Sequence, residues 1–170
     1  MKKLTNKKIM DILGDMIFII DTREQKCNHI KEYLDSIKVP YKVEKLDSAD
    51  YSFILPNYPE LNMDKKILVE RKNSLSELAS NFTSGRKRFQ NEFERLEKDQ
   101  KIHLLVETAT WKKLFNGTYR SSFNPNAYKG SLISYCIRYK CPVWFAEKKE
   151  SPEIIYKLMY YELKEVLDNL

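Results

Sequence analysis

Short apolar runs and stretches with helical spacing alternate along this chain. Five apolar runs, each bounded by charged or turn-forming residues, predict strands at 16–20, 51–55, 67–71, 102–106 and 143–146. An alternating segment that begins after Pro40 predicts a further strand at 41–46. The pattern therefore indicates a protein with a sheet of several short strands.

Apolar residues three or four positions apart predict helices between these strands. The predicted helices span 24–37, 74–85, 86–99, 125–139 and the segment from Ser151 onward. Ser74, with Glu77 three residues later, forms a capping-box pattern at the start of one of them. The polar segment 116–126, which contains Gly117 and Pro125, predicts a surface loop.

Helices that alternate with strands favour an α/β fold in which helices cover a central sheet. The closely spaced strands between Tyr41 and Arg71 favour hairpin-like connections, so we expect the sheet to be mixed. The length of 170 residues suits a single domain over 1–170, with a basic N-terminal extension at 1–14.

Composition excludes several classes of protein. Hydrophobic residues make up 42% of the chain, which is enough for a core and excludes wholesale disorder. The longest apolar run, 16–20, is far too short to span a bilayer, so no membrane association is expected. Asp11 and Asp15 interrupt the segment where a secretory signal would need an apolar stretch. Three cysteines suit reduced thiols, and we expect a cytoplasmic protein.

The positive charge is concentrated in one region. The formal net charge is +6, and residues 65–88 contain seven basic and two acidic residues. Residues 144–170 contain four basic and six acidic residues. A basic band of this kind is typical of a surface that binds a polyanion, although a solvated face gives the same pattern.

Acidic residues stand at the ends of the predicted strands, where an α/β sheet exposes functional groups. Because side chains alternate along a strand, Glu70 and Lys72 share one face with Leu68, about 7 Å apart. Carboxylate oxygens bind Mg²⁺, and a nearby lysine can position or deprotonate an attacking water. Each acid taken alone is better explained as a turn cap or a solvated strand edge, so the hypothesis depends on the whole set. The two histidines, His29 and His103, suit structural or surface positions better than metal ligation.

The ordered set of these segments resembles the nuclease domain of the XPF family of structure-specific DNA endonucleases. The pattern reads Asp-x-Arg-Glu at 21–24, Asp-Tyr at 50–51, Val-Glu-Arg-Lys at 69–72 and Gly-Arg-x-x-x-Gln at 85–90. Two positions depart from the family pattern: Ala49 replaces a glycine and Ser76 replaces an aspartate. The resemblance implies a restriction-endonuclease-like, or PD-(D/E)XK, three-layer α/β sandwich with a mixed central β-sheet.

The resemblance also implies an activity, which is Mg²⁺- or Mn²⁺-dependent hydrolysis of DNA phosphodiester bonds near branched or single-strand/duplex junctions. The implied catalytic residues are Asp21, Glu24, Asp50, Glu70, Arg71 and Lys72, and Asp21, Asp50 and Glu70 would be the metal ligands. The expected DNA contacts are Arg23, Arg86, Lys87, Arg88, Gln90, Arg120 and Lys129. Arg86 and Gln90 are four residues apart, so we expect both on the helix face turned toward the metal.

The resemblance further implies a homodimer and a role in DNA repair, recombination or phage DNA metabolism. A compact chain without the family's helix-hairpin-helix or helicase regions would suit a prokaryotic or phage source. Two alternatives stay open: a non-catalytic subunit that only binds DNA, and another nuclease of the same broad fold, such as a junction resolvase. The aromatic residues Tyr119, Phe123 and Tyr128 suit base stacking and loop anchoring equally well.

Overall fold

A computed structural model describes residues 3–170 of the chain. In this part of the chain, six strands and seven α-helices alternate. The strands are β1 (Ile17–Ile20), β2 (Tyr41–Val43), β3 (Tyr51–Ile54), β4 (Ile67–Lys72), β5 (Lys101–Glu107) and β6 (Val143–Ala146). The helices are α1 (Asn6–Gly14), α2 (Asn28–Ser36), α3 (Leu75–Phe82), α4 (Arg86–Glu94), α5 (Trp111–Phe115), α6 (Pro125–Arg138) and α7 (Ser151–Asp168).

The strands form one mixed sheet in the order β2-β1-β3-β4-β5-β6. Strand β3 is antiparallel to both of its neighbours, whereas the β1–β2, β4–β5 and β5–β6 pairs are parallel. The expected α/β fold with a mixed central sheet is therefore confirmed. In place of a hairpin with β3, strand β2 pairs with β1 through the crossover helix α2.

Two apolar clusters pack on opposite faces of the sheet. One cluster joins the sheet to α1, α2 and α7, and the other joins it to α3, α4, α5 and α6. Alternation in β4 divides its side chains between them, because Val69 lies in the first cluster and Leu68 in the second. The molecule is thus a three-layer sandwich, as expected.

The expected basic extension at 1–14 contains a folded helix. Helix α1 is capped by Thr5, whose side chain accepts a hydrogen bond from the Lys8 N–H group. Ile9 and Ile12 are buried in the cluster with α7. The extension is therefore part of the folded body from Asn6 onward, and residues 1 and 2 lie outside the described residues.

Several element boundaries differ from the expected ones. Helix α2 begins at Asn28 instead of residue 24, because Glu24 accepts hydrogen bonds that close a turn with Lys26 and Cys27. Ser74 caps α3 as expected, but the Glu77 carboxylate accepts from Asn73 instead of Ser74. None of the helices in residues 3–170 is long and apolar enough to cross a membrane.

Candidate active site

The ends of β1, β3 and β4 meet at one edge of the sheet. The Asp21 N–H group donates to the Asp50 carbonyl oxygen at 2.8 Å, and the Asp50 N–H group donates to the Val69 carbonyl oxygen at 3.1 Å. This ladder places three of the four segments of the sequence pattern side by side. The fourth segment begins α4, which packs on the same side of the sheet as Leu68.

A polar pocket of about 230 Å³ opens at this edge. Its lining residues are Arg23, Asp47, Ser48, Ala49, Asp50, Glu70, Lys72, Arg88 and Glu92. A second polar pocket of about 290 Å³ adjoins it and shares Arg23, Asp50 and Lys72. A larger cavity, of about 940 Å³, lies elsewhere and is lined mainly by apolar parts of α7, β5 and β6. The convergence of charged side chains marks the polar pocket as the candidate active site.

Glu70 and Lys72 lie together in this pocket, as alternation along the strand predicted. The Lys72 Nζ atom donates to Glu70 Oε1 at 2.5 Å, and it lies 5.4 Å from the centre of the Phe89 ring. Both residues are buried, Glu70 at 5% and Lys72 at 8% exposure. Asp50 completes the group, and its Oδ2 atom accepts a hydrogen bond of 2.8 Å from the Arg71 N–H group.

The charges in the pocket shift one another's pKa. Burial and the neighbouring Glu70 carboxylate raise the pKa of Asp50 well above its ordinary value. Burial acts to lower the pKa of Lys72, but the charges of Glu70 and Asp50 outweigh it and raise that pKa overall. The Lys72 ammonium donates to Glu70 inside the pocket, a position from which it can orient a nucleophile or a phosphate.

Ala49, the residue before Asp50, has a φ of +64°. An L-residue in this left-handed region is strained by about 1–2 kcal/mol, whereas glycine is not. The conformation explains why the resembled family has glycine there. Such a conformation persists because the surrounding structure holds it, and here it forms the turn that presents Asp50 to the pocket.

Arg71 lies on the opposite face of the sheet from Glu70 and Lys72. Its guanidinium is buried and forms ion pairs with Glu24 at 2.9 Å and Glu107 at 2.8 Å. The same group donates to the Asn73 side chain and to the Lys26 carbonyl oxygen. Arg71 therefore holds other residues in place instead of contacting a phosphate in solution.

Asp21, which we expected to bind metal, is turned away from the pocket. Its two carboxylate oxygens accept hydrogen bonds from the Arg23 guanidinium, from the Arg23 N–H group and from the Leu46 N–H group. Burial acts to raise the pKa of Asp21, but these hydrogen bonds outweigh it and lower the pKa overall. The structure thus places Asp21 as a turn anchor behind Arg23, and it does not bring Asp21 to Asp50 and Glu70 as a third ligand.

Helix α4 presents a different face to the pocket from the one expected. Arg88 and Glu92 line the pocket, whereas Arg86 and Gln90 do not. Phe89 and Phe93 are the buried residues of this helix, and at 100° per residue the pairs 88/92 and 86/90 fall on opposite sides of Phe89. The expectation that Arg86 and Gln90 face the metal is corrected for this reason. Gln90 instead donates to Glu94.

The expected DNA contacts outside the pocket are dispersed. Arg120 is exposed, and its N–H group donates to the Ser76 hydroxyl at 3.0 Å, which ties the 116–124 loop to α3. Lys129 lies over the Phe115 ring at 5.1 Å. Tyr119 and Phe123 pack on the buried Tyr128 ring, with centroid distances of 5.1 and 5.4 Å, and so anchor the loop. Lys87 is exposed at the start of α4.

Two acidic residues of the site escaped the sequence pattern. Glu92 lines the pocket, and burial followed by the Glu70 charge raises its pKa. Glu107 pairs with Arg71 from the end of β5. The four-residue spacing of Arg88 and Glu92, and the alternation of His103, Leu105 and Glu107, are the signals from which both positions follow.

The donor set suits a small hard cation that keeps water and substrate oxygens in its shell. In residues 3–170 no group of three or more acids, histidines or cysteines is arranged as a complete metal site. Mg²⁺, however, is usually bound by one or two carboxylates together with substrate phosphate oxygens and water. Asp50 and Glu70 face the same pocket and satisfy that requirement.

Comparison with known proteins agrees with the fold and the motif order. Residues 20–158 match the family model of the ERCC4 domain. XPF from Aeropyrum pernix is similar in structure, with a TM-score of 0.63 and 19% identity over 89% of this chain and 67% of that one. XPF from Aeropyrum pernix in complex with DNA matches with a TM-score of 0.62 and 20% identity over 88% of this chain and 66% of that one.

This chain therefore corresponds to about two thirds of the length of those structures. No curated protein sequence matches it significantly. At this level of identity the structural likeness shows the fold, whereas the family match extends over most of the chain. The resemblance to the XPF nuclease domain is thus confirmed, and the chain belongs to the ERCC4 domain family.

Proposed function

We propose that this protein is a divalent-metal-dependent DNA endonuclease that hydrolyses phosphodiester bonds. The observation that carries the proposal is the convergence of Asp50, Glu70 and Lys72 in one pocket of an ERCC4 domain. A non-catalytic DNA-binding subunit has no need of two carboxylates whose charges repel each other in a buried site. The repulsion between the Asp50 and Glu70 carboxylates lowers the stability of the fold, and a catalytic role would explain why both are present.

Asp50 and Glu70 would hold Mg²⁺ or Mn²⁺ in this pocket, and Glu92 lies at its rim. When bound, such a cation stabilises charge on the phosphoryl oxygens and lowers the pKa of a water molecule. Lys72, which lies against Glu70, would orient the attacking oxygen or the phosphate. Arg71 and Glu24 support the site from the other face of the sheet.

DNA is the proposed substrate because cationic groups surround the acidic pocket. Arg23 and Arg88 line the pocket and Lys87 is exposed beside it, so a phosphate backbone can approach without facing unscreened carboxylates. The similar XPF from Aeropyrum pernix is known in complex with DNA. We propose branched or single-strand/duplex junction DNA as the preferred substrate, in repair, recombination or phage DNA metabolism. The cytoplasmic location stays a prediction.

A homodimer is the proposed assembly. Exposed apolar side chains recur on the elements around β6, the edge strand next to the 940 Å³ cavity. They include Trp144 on β6 and Tyr161 on α7, which both line the cavity. The cavity shares no residue with the catalytic pocket, so a second copy can dock there without blocking it.

The direct test is cleavage of end-labelled flap, fork, splayed-arm and linear duplex DNA in Mg²⁺ or Mn²⁺, mapped to the nucleotide. Glu70→Gln should lower the rate about a hundredfold or more, because losing a metal ligand removes several kcal/mol of transition-state stabilisation. Glu94→Gln is the matched control, since Glu94 lies on the exposed flank of α4 and accepts only from Gln90.

A second readout is independent of cleavage. Mn²⁺ should raise the thermal unfolding midpoint of the wild-type protein and of Glu94→Gln, because a ligand of the folded state stabilises it. Glu70→Gln should lose that shift. Full cleavage by pure Glu70→Gln protein would contradict the site assignment, and cuts at one position in symmetrical four-way junctions alone would favour a junction resolvase.

A further inference from the structure

We propose that Glu107, Ser151 and His29 are positioning residues of the active site, which they serve by anchoring Arg71 from the far side of the sheet. The expected effect of these residues on the cleavage rate depends on the proposed nuclease function. The anchoring itself is a structural property of this buried group, and it can be measured whether or not DNA is cut.

Glu107 is the centre of the group. It is the last residue of β5, and its side chain is 1% exposed. One carboxylate oxygen, Oε2, pairs with Arg71 Nη1 at 2.8 Å. The other, Oε1, lies 2.5 Å from the Ser151 hydroxyl and 2.7 Å from His29 Nε2. Residues from β4, β5, α2 and α7 therefore meet at one carboxylate.

The hydrogen bonds at Glu107 have a defined direction. Burial acts to raise the pKa of Glu107, but the bonds from Ser151 and His29 and the charge of Arg71 outweigh it and lower the pKa overall. An ionised carboxylate only accepts hydrogen bonds. Ser151 and His29 are therefore both donors, and the proton of a neutral His29 ring sits on Nε2.

Arg71 connects this group to the catalytic pocket in two ways. Its Nη2 atom donates to Glu24 Oε1 at 2.9 Å, and Glu24 lines the second polar pocket. Its backbone N–H group donates to Asp50 Oδ2 at 2.8 Å. The same residue therefore contacts Glu24 through its side chain and Asp50 through its backbone.

Stability alone is a poor explanation for this arrangement. A buried ion pair is often no more stable than apolar side chains of the same volume, because both charges lose their hydration. The three contacts fix the position of the Glu107 carboxylate. Through that carboxylate they restrict the Arg71 guanidinium to one position. Residues that orient a catalytic group through another side chain commonly change activity by about 10–100-fold when they are replaced.

The test compares two hydroxyl deletions of equal size. Ser151→Ala removes a donor of Glu107, whereas Ser52→Ala removes a hydroxyl that is equally buried but donates to the Ile67 carbonyl oxygen at 3.0 Å. Ser151→Ala should lower the single-turnover cleavage rate at saturating DNA about tenfold and change the dissociation constant in Ca²⁺ less than about twofold. Ser52→Ala should leave both quantities at the wild-type level.

A pair of histidine variants separates the donor from the bulk of the ring. His29→Gln keeps an N–H donor and should retain the wild-type rate, while His29→Leu lacks it and should behave like Ser151→Ala. Equal rates for His29→Gln and His29→Leu, or equal losses for Ser151→Ala and Ser52→Ala, would overturn the positioning role.

Nitrogen-15 NMR of the arginine side chains provides a readout that needs no nuclease activity. The Arg71 Nη signals, assigned by their loss in Arg71→Lys, should be sharp in wild-type protein and in Ser52→Ala, and broadened in Ser151→Ala. If the wild-type protein cuts no DNA, the proposed function fails while this comparison still decides the anchoring. An unchanged Arg71 signal in Ser151→Ala would overturn it.

Discussion

Asp21 and Asp50 are both aspartates at the ends of neighbouring strands, yet their surroundings shift their pKa values in opposite directions. Hydrogen bonds from Arg23 and Leu46 lower the pKa of Asp21 despite its burial. Burial and the nearby Glu70 carboxylate raise the pKa of Asp50. A carboxylate whose oxygens accept hydrogen bonds from the protein stabilises the fold. A carboxylate that faces another carboxylate is suited to binding a cation.

Asp21→Asn should therefore act mainly on stability. Because the folded pKa lies below the ordinary value of 3.8, the ionised carboxylate stabilises the folded state at any pH above that value. At neutral pH the variant should lose roughly 1–3 kcal/mol of unfolding free energy through unsatisfied donors. The difference should shrink as the pH falls below 3.8 and the wild-type Asp21 is protonated.

Urea unfolding of both proteins across this pH range measures the effect. Asp35→Asn is the control, since Asp35 is exposed on α2 and should show a small change at every pH. If Asp21→Asn is as stable as the wild-type protein but loses the Mn²⁺-dependent thermal shift completely, Asp21 is a metal ligand after all.

At the residue scale, sequence periodicity was enough to predict the Glu70 and Lys72 pair. Alternation along one strand determines which side chains share a face, and this rule is local. The partners of Asp21 and Arg71 were not predictable in the same way. Leu46 and Glu107 reach them from 25 and 36 positions along the chain, and only the assembled sheet brings these residues together.

At the scale of elements, helix α4 shows how a motif spacing can place a residue on the wrong side of its helix. The four-residue spacing of Arg86 and Gln90 correctly put both on one face. It did not establish which side of the buried Phe89 the pocket occupies. The structure places Arg88 and Glu92 on that side, so the active-site arginine of α4 is expected to be Arg88.

Arg88→Ala should thus lower the single-turnover cleavage rate in Mg²⁺ more than Arg86→Ala does. Both variants, and Lys87→Ala, remove one positive charge from the same turn of helix, so they are matched in charge and position. Each phosphate contact that is lost should reduce the slope of log affinity against log salt by about 0.9 on duplex DNA. Salt-titrated binding in Ca²⁺ followed by cleavage in Mg²⁺ distinguishes these effects. A larger rate loss for Arg86→Ala would return that role to Arg86.

Strand pairing was the least predictable feature of the fold. Six strands were expected and six are present in residues 3–170, but the short interval between 41 and 55 favoured a hairpin. The real partner of β2 is β1, joined through α2 as a parallel crossover unit. Helix α5 was missed because it is only five residues long, too short to show helical periodicity.

At the scale of the whole molecule, the two edge strands of the sheet differ in their surroundings. Strand β2 forms one edge, and β6 forms the other. Beside β6 lies the 940 Å³ apolar cavity, whose lining includes Trp144 and Tyr161, which are 41% and 52% exposed. Exposed apolar surface of this extent is typical of a protein–protein interface.

The proposed homodimer should therefore form around β6 and not around β2. Trp144→Glu and Tyr161→Glu place a charge in the lining of that cavity and should convert the dimer to a monomer, because an unpaired charge buried in an interface is strongly unfavourable. Val43→Glu is the matched control, since Val43 is 53% exposed on β2, the opposite edge strand. Analytical ultracentrifugation over a range of protein concentrations measures the mass, because the dimer fraction rises with concentration. Dissociation by Val43→Glu with no effect of Trp144→Glu would place the interface at β2, and a monomeric wild-type protein over the whole range would exclude the dimer.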